Sequence, residues 1–246
     1  MNYYSSSPRV FFGGPVTRTV KILIIVNVAV FFVQWLSERL GSQLIVAWLG
    51  LIPYRVTHDL WVWQLATYMF LHSGVFHIFF NMLTLFMFGN DLERYWGTRR
   101  FLNYYFITGI GAGVCSWLIS MHSIAVTIGA SGAIYGLLLA YGLLYPNRIV
   151  YLNFLLPVKV KWLVIIMGGM AFFSSLAGGE PGVAHIAHLG GMLVGLVFLK
   201  GKDWLGQYQV YQANRKREQL KKRFEVYYGE VRRKVEEDKK KGPTIH

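Results

Sequence analysis

The sequence predicts an all-α, polytopic membrane protein built as a bundle of six transmembrane helices, and three observations carry that prediction. The chain of 246 residues is 54% hydrophobic and only 15% charged, with a mean hydropathy of +0.38, far from the composition of a soluble domain. Apolar segments at 20–37, 68–89, 101–121, 131–146, 159–176 and 184–200 approach the ~20 residues that a spanning helix needs. Lys and Arg gather on alternate connections, and of the 25 only Arg39 and Arg55 fall on the other side. That asymmetry predicts that both termini face the cytoplasm.

Residues 1–19 form a basic N-terminal cytoplasmic segment. The run from Val20 to Leu36 has no small-residue cleavage site after it and is expected to stay as the first span. The connection 38–67 carries Trp48, Pro53, Tyr54, Trp61 and Trp63. Such aromatics sit at headgroup level, so this stretch is expected to lie in the interface. The second span holds His72, His77 and Asn81.

The fourth span is short. From Ser131 to Pro146 there are about 15 residues, roughly 22 Å of helix against about 30 Å of hydrocarbon. Pro146, Asn147 and Arg148 mark its cytoplasmic end, so Ser131 must lie below the outer surface. The preceding loop, 122–130, then dips into the membrane, where irregular backbone is tolerated only inside protein or along a wet cavity.

Beyond the membrane domain, 20–200, the composition flips. The tail, 201–246, is basic, and Leu220, Phe224, Tyr227, Val231 and Val235 recur at spacings of three and four. This predicts an amphipathic helix attracted to anionic lipid. The net charge of +13 is concentrated there and on the cytoplasmic loops, so the expected partner is the lipid bilayer and not nucleic acid. The single cysteine, Cys115, can form no internal disulfide.

Polar groups inside spans are costly, and each is a candidate for function. His77, Ser131 and His188 all fall near the outer ends of their spans, at one depth. A serine hydroxyl is a weak nucleophile that needs a base within hydrogen-bond reach and donors for the charge that develops. His188 has Gly191 and Gly195 three and seven residues on, and Gly132 and Gly136 lie below Ser131. Two glycine faces permit close backbone approach, which would bring the hydroxyl to the imidazole. His185 has no such face, so His188 is chosen as the base, with Tyr135 packing on its ring. His77 and Asn81 share one helix face and, with the Ser131 backbone N–H, would form an oxyanion hole. No aspartate lies near, so the arrangement would be a dyad. The competing readings are structural. Gly-Ala-Ser-Gly is also a small-residue helix start, and a membrane histidine or asparagine can simply join two helices.

Other membrane chemistries lack their residues. The His-Glu-x-x-His of zinc proteases is absent, as is an intramembrane aspartate pair. His185 and His188 have no evident third ligand, so no metal and no cofactor are expected. A proton-coupled transporter would show internal symmetry, and none is found.

From about 20 to 200 the chain resembles the rhomboid intramembrane serine proteases. The resemblance is carried by His72, His77 and Asn81, by Gly89, Glu93 and Gly97, by Gly129-Ala130-Ser131-Gly132, and by Ala187-His188 with Gly191 and Gly195. It implies Ser131 as nucleophile, His188 as base, and His77 with Asn81 as oxyanion donors. His72, Gly129, Tyr135 and the helix glycines would support them. It also implies single-span membrane proteins as substrates, a home in the cell membrane, and a lateral gate at the fifth span, near Phe172 and Phe173. Many members have Trp-Arg where this chain has Trp63-Gln64, which bears on how the first connection docks. The rival reading is a relative that binds or dislocates membrane helices without cutting. Such relatives typically lack the serine or the histidine.

Overall fold

A computed structural model describes residues 15–152, 156–176 and 185–201, together with 220, 228 and 229. Its internal contacts divide the chain into Met1–Leu199 and Lys200–His246. In the second unit Leu220 is helical and exposed. The rest of the tail stripe, Phe224, Tyr227, Val231 and Val235, lies outside the described residues.

Three helices are long and apolar enough to cross a membrane: α1 (Arg18–Arg39), the composite helix Val75–Trp96, and α7 (Thr98–Ile119). Three shorter apolar helices follow, α8 (Ser131–Leu144), α9 (Val160–Leu176) and α10 (His185–Gly201). Together they are the six-helix bundle. The first connection contains the short helices α2 (Leu44–Leu49), α3 (Pro53–His58) and α4 (Gln64–Thr67).

The second span begins later than the hydropathy predicts. Tyr68–Phe70 form a 3-10 turn, and the helix starts only at Val75, as α5 (Val75–Thr84), then passes through a π turn at Leu85–Gly89 into α6 (Asn90–Trp96). His72 is therefore in the turn before the span and not on it. The reason is that Tyr68, Met69 and Leu71 are apolar because they are buried in protein, at 1% exposure or less. A hydropathy window cannot separate a buried turn from a lipid-facing helix.

Glu93 ties the start of α1 to the α6–α7 corner. Its carboxylate, 6% exposed, accepts hydrogen bonds from the Thr98 hydroxyl at 2.8 Å, the Val20 backbone N–H at 3.2 Å and the Thr17 hydroxyl. Val20 is in the first turn of α1, whose N–H groups have no helical partner, so a side chain from α6 caps α1 and answers its dipole. Asn90 Oδ1 also accepts from the Thr17 N–H at 3.0 Å. Gly97, at φ +77°, occupies the left-handed region that turns α6 into α7. A carbon at Gly89 would stand 3.2 Å from Val20. The spacing Gly89, Glu93, Gly97 is thus a structural joint between α1, α6 and α7.

Helix α7 is the spine. Its buried face, Phe101, Tyr104, Tyr105, Thr108, Ala112 and Ser116, repeats every three or four residues and packs on α8, most of whose residues are buried. After α8 an antiparallel hairpin, β1 (Ile149–Leu152) with β2 (Leu156–Lys159), pairs Ile149 with Lys159. The helical reading misses this hairpin, because four-residue apolar runs carry too little periodicity to type. Arg148 fixes its base by an ion pair to Asp91 at 2.7 Å, with the Tyr141 hydroxyl donating to the same carboxylate at 2.9 Å.

Replacing Glu93 by Ala leaves three donors without their charged acceptor. The bundle is expected to lose about 3 kcal/mol, read as a lower unfolding midpoint in mixed micelles. An unchanged midpoint would remove the capping argument.

Candidate active site

Ser131 is the first residue of α8. His188 lies one turn into α10, and its Nε2 is 2.8 Å from the Ser131 Oγ. Tyr135, one turn after the serine, stacks on the imidazole at 4.3 Å between centroids and 3° between planes. The ring is thereby held edge-on to the hydroxyl. His188 Nδ1 is buried with no hydrogen-bond partner among the described residues. If Nδ1 carries the proton, Nε2 is free to accept one from the serine. His185 lies edge-on to His188 at 5.8 Å.

The approach of α8 and α10 depends on glycine. A carbon placed on Gly191 would stand 2.0 Å from the Gly132 carbonyl oxygen, so these helices touch backbone to backbone. The second glycine pair behaves differently from the sequence expectation of two facing glycine stripes. Carbons at Gly136 and Gly195 would instead collide with Thr108 and Tyr104 of α7. The Tyr104 hydroxyl donates to the Gly136 carbonyl at 2.8 Å. Helix α7 therefore packs against both α8 and α10 at this second pair.

His77 faces the serine from α5. The Ser73 backbone N–H donates to its Nδ1 at 3.3 Å, and the Ser73 hydroxyl is 3.0 Å from the same atom. A backbone N–H can only donate, so Nδ1 is the acceptor and the ring proton sits on Nε2. That nitrogen is 2.9 Å from where a Gly129 side-chain carbon would be, and Ser131 Oγ is 3.6 Å from the same point. Gly129, at φ +126°, thus leaves open the space between a donor and the hydroxyl. Asn81 lies one turn below His77 and is 5% exposed. Its amide donates to the His77 carbonyl at 2.9 Å, which fixes the side chain, and no hydrogen bond to Ser131 is made.

His72 packs edge-on behind His77 at 5.1 Å and is fully buried. Its backbone is clamped by Gln34 of α1, which donates to the His72 carbonyl at 2.9 Å and accepts from its N–H at 3.1 Å. Sequence reasoning missed Gln34. The signal was available, since it is a polar residue in the middle of an apolar span. Tyr68 was missed as well. Its carbonyl accepts from the Gly129 N–H at 2.9 Å and its hydroxyl donates to the Gly109 carbonyl at 2.7 Å, so it ties the loop before Ser131 to α7.

The first connection docks on the loop before Ser131. Leu51 and Thr127 exchange backbone hydrogen bonds at 3.0 and 2.8 Å, and the Tyr54 N–H donates to the Ser123 carbonyl at 2.9 Å. Gln64, which follows Trp63, is fully buried. It accepts from the Ile52 N–H at 3.0 Å and donates to the Ala47 carbonyl at 3.2 Å. Here the docking role is carried by a neutral amide bonded to backbone.

Residues 60–201 match the Rhomboid domain. This chain belongs to the rhomboid family. It is 31% identical over 195 residues to Rhomboid protease AarA of Providencia stuartii, covering 70% of this chain and 68% of that protein. It is 28% identical over 190 residues to Rhomboid protease GlpG of Yersinia pestis, covering 75% and 62%. RHOMBOID-like protein 1 of Arabidopsis thaliana is 39% identical over 149 residues, covering 58% of this chain and only 36% of its own length. The rhomboid chain thus spans little more than a third of the plant relative. Among its described residues no group of three metal-ligating side chains occurs.

Gly191→Ala forces α8 and α10 apart at the Gly132 carbonyl. Labelling of Ser131 by a fluorophosphonate probe is expected to slow by about 10²-fold, the cost of a displacement near 1 Å. A wild-type labelling rate would show that the contact does not position the pair.

Proposed function

We propose that this rhomboid protein is a serine endopeptidase that cuts within the membrane by a Ser131–His188 dyad. The observation that carries the reading is the 2.8 Å approach of His188 Nε2 to Ser131 Oγ, on the shortest of the six bundle helices. The serine proton passes to His188 Nε2 as Oγ attacks a peptide carbonyl. The carbonyl oxygen becomes an oxyanion in the space beside Gly129. His77 Nε2–H faces that space, and the Ser131 N–H, in the first turn of α8, has no helical acceptor. Asn81 has a second amide N–H to offer from one turn below. His188 then returns the proton to the leaving amine, and water hydrolyses the acyl-enzyme by the same path reversed.

The substrates are single-span membrane proteins, met at the outer ends of their helices where the depth of Ser131 allows. The protein sits in the cell membrane with both termini in the cytoplasm, as the Lys and Arg distribution implies. The 20–200 region works as the catalytic domain, and the basic tail 201–246 rests on anionic lipid. No metal or organic cofactor is required for any step.

Ser131→Ala is expected to abolish both fluorophosphonate labelling in native membranes and cleavage of a single-span reporter, with the unfolding midpoint unchanged. Cleavage by this variant at the wild-type rate would remove Ser131 as the nucleophile, whereas a wild type that neither labels nor cuts would leave the silent, helix-binding reading in its place. Asn81→Ala is expected to lower kcat by about 10²-fold or less, since one of several donors is lost. If kcat holds, Asn81 is only a helix-stabilising residue.

A further inference from the structure

Away from the serine, the bundle carries a groove of about 550 Å³ between α1 and α7, a size typical of small-ligand sites. Its walls are Ile22, Leu23 and Val26 on one side and Leu102 and Phe106 on the other, with Phe70 contributed by the turn before α5. Its remaining lining is polar and confined to one end, where Arg18, Thr19 and Thr98 stand. Arg18 is exposed, as are Lys21 one turn along α1 and Arg99 beside Thr98. The acidic side chain at this end, Glu93, is buried and already bonded to Thr17, Thr98 and the Val20 N–H.

We propose that this groove seats one acyl chain of an anionic phospholipid, with Arg18 pairing its phosphate. Three features single out that occupant. The groove is apolar along its length and cationic at its mouth, which is the polarity of a lipid and the charge complement of its headgroup. It runs eight residues along each helix, from Arg18 to Val26 and from Thr98 to Phe106, about 12 Å. That depth matches one leaflet of a hydrocarbon core about 30 Å thick, whereas a transmembrane helix would need a track through both. Lastly, Arg18 is the first residue of α1, where a cation opposes the helix dipole. A bound phosphate gives that charge a partner. By the charge count along the chain, the leaflet is the cytoplasmic one.

The test uses the full-length protein in detergent micelles, supplied with phosphatidylglycerol or phosphatidylcholine and read by native mass spectrometry. A phosphatidylglycerol bearing a diazirine on one acyl chain maps the contact. Wild type is expected to retain phosphatidylglycerol preferentially, with the photolabel falling on 18–26 and 98–106. Arg18→Gln is expected to reduce that preference by about five-fold, the effect of one cation at a lipid surface. Ile22→Trp, at a half-exposed position that tolerates size, is expected to lower retention of both lipids and to move the label elsewhere. The proposal is overturned by labels spread evenly around the bundle, or by a headgroup preference that survives Arg18→Gln. It is equally overturned if Ile22→Trp slows cleavage of a single-span reporter while lipid retention stays constant, because the groove would then serve a protein helix.

Discussion

The Gly132 carbonyl against Gly191 is the contact on which the rest of the site depends. Side chains between α8 and α10 would hold the helices apart by the width of at least a methyl group, and a hydrogen bond of 2.8 Å between residues in their first turns would then be out of reach. Membrane helices gain little from burying apolar surface against each other, because lipid is as apolar as leucine. Close backbone packing must supply the association. Further along, Tyr104 and Thr108 of α7 fill the space at Gly136 and Gly195, so both helices also pack on α7. The serine and histidine sit in the first turns of α8 and α10, beside that glycine contact.

Precision at this point is defended from both ends of the bundle. At the Ser131 end the loop before the serine is laced to the first connection through Leu51 and Thr127 and to Tyr68 through Gly129. Gln64 and Gln34 satisfy buried backbone groups that irregular segments would otherwise leave unpaired at depth, where each unpaired group is costly. At the opposite end Glu93 and Asp91 act as local anchors. One caps α1, and the other gathers Tyr141 and Arg148 at the base of the hairpin. The polar side chains of this bundle therefore divide by task. Most of them hold backbone, and a few near Ser131 are left to face the open space beside Gly129.

Much of this was legible in the order of residues. The start of the fourth span at Ser131 was legible where the loop meets an apolar run, and α8 does begin at that serine. The glycines after His188 distinguish it from His185, and the structure brings His188, not His185, to the hydroxyl. Other features were opaque. The start of the second span was misplaced by seven residues, because Tyr68 to Leu71 are apolar for burial and not for lipid. The pairing of Gly136 and Gly195 with α7 was likewise hidden, since a glycine announces a close approach without naming its partner.

What the sequence determined by itself is what local chemistry and counting control: the number of apolar helices, the distribution of charge along the chain, the shortness of the fourth helix, and which residue types could carry a proton. What only the tertiary structure decided is which groups meet. The tautomer of His77 follows from the Ser73 N–H, the capping of α1 from a glutamate more than seventy residues away, and the docking of the first connection from a buried glutamine. Each of these depends on a partner brought near by packing. Spacing along a chain fixes a helix face, but only the angle between helices fixes what that face will touch.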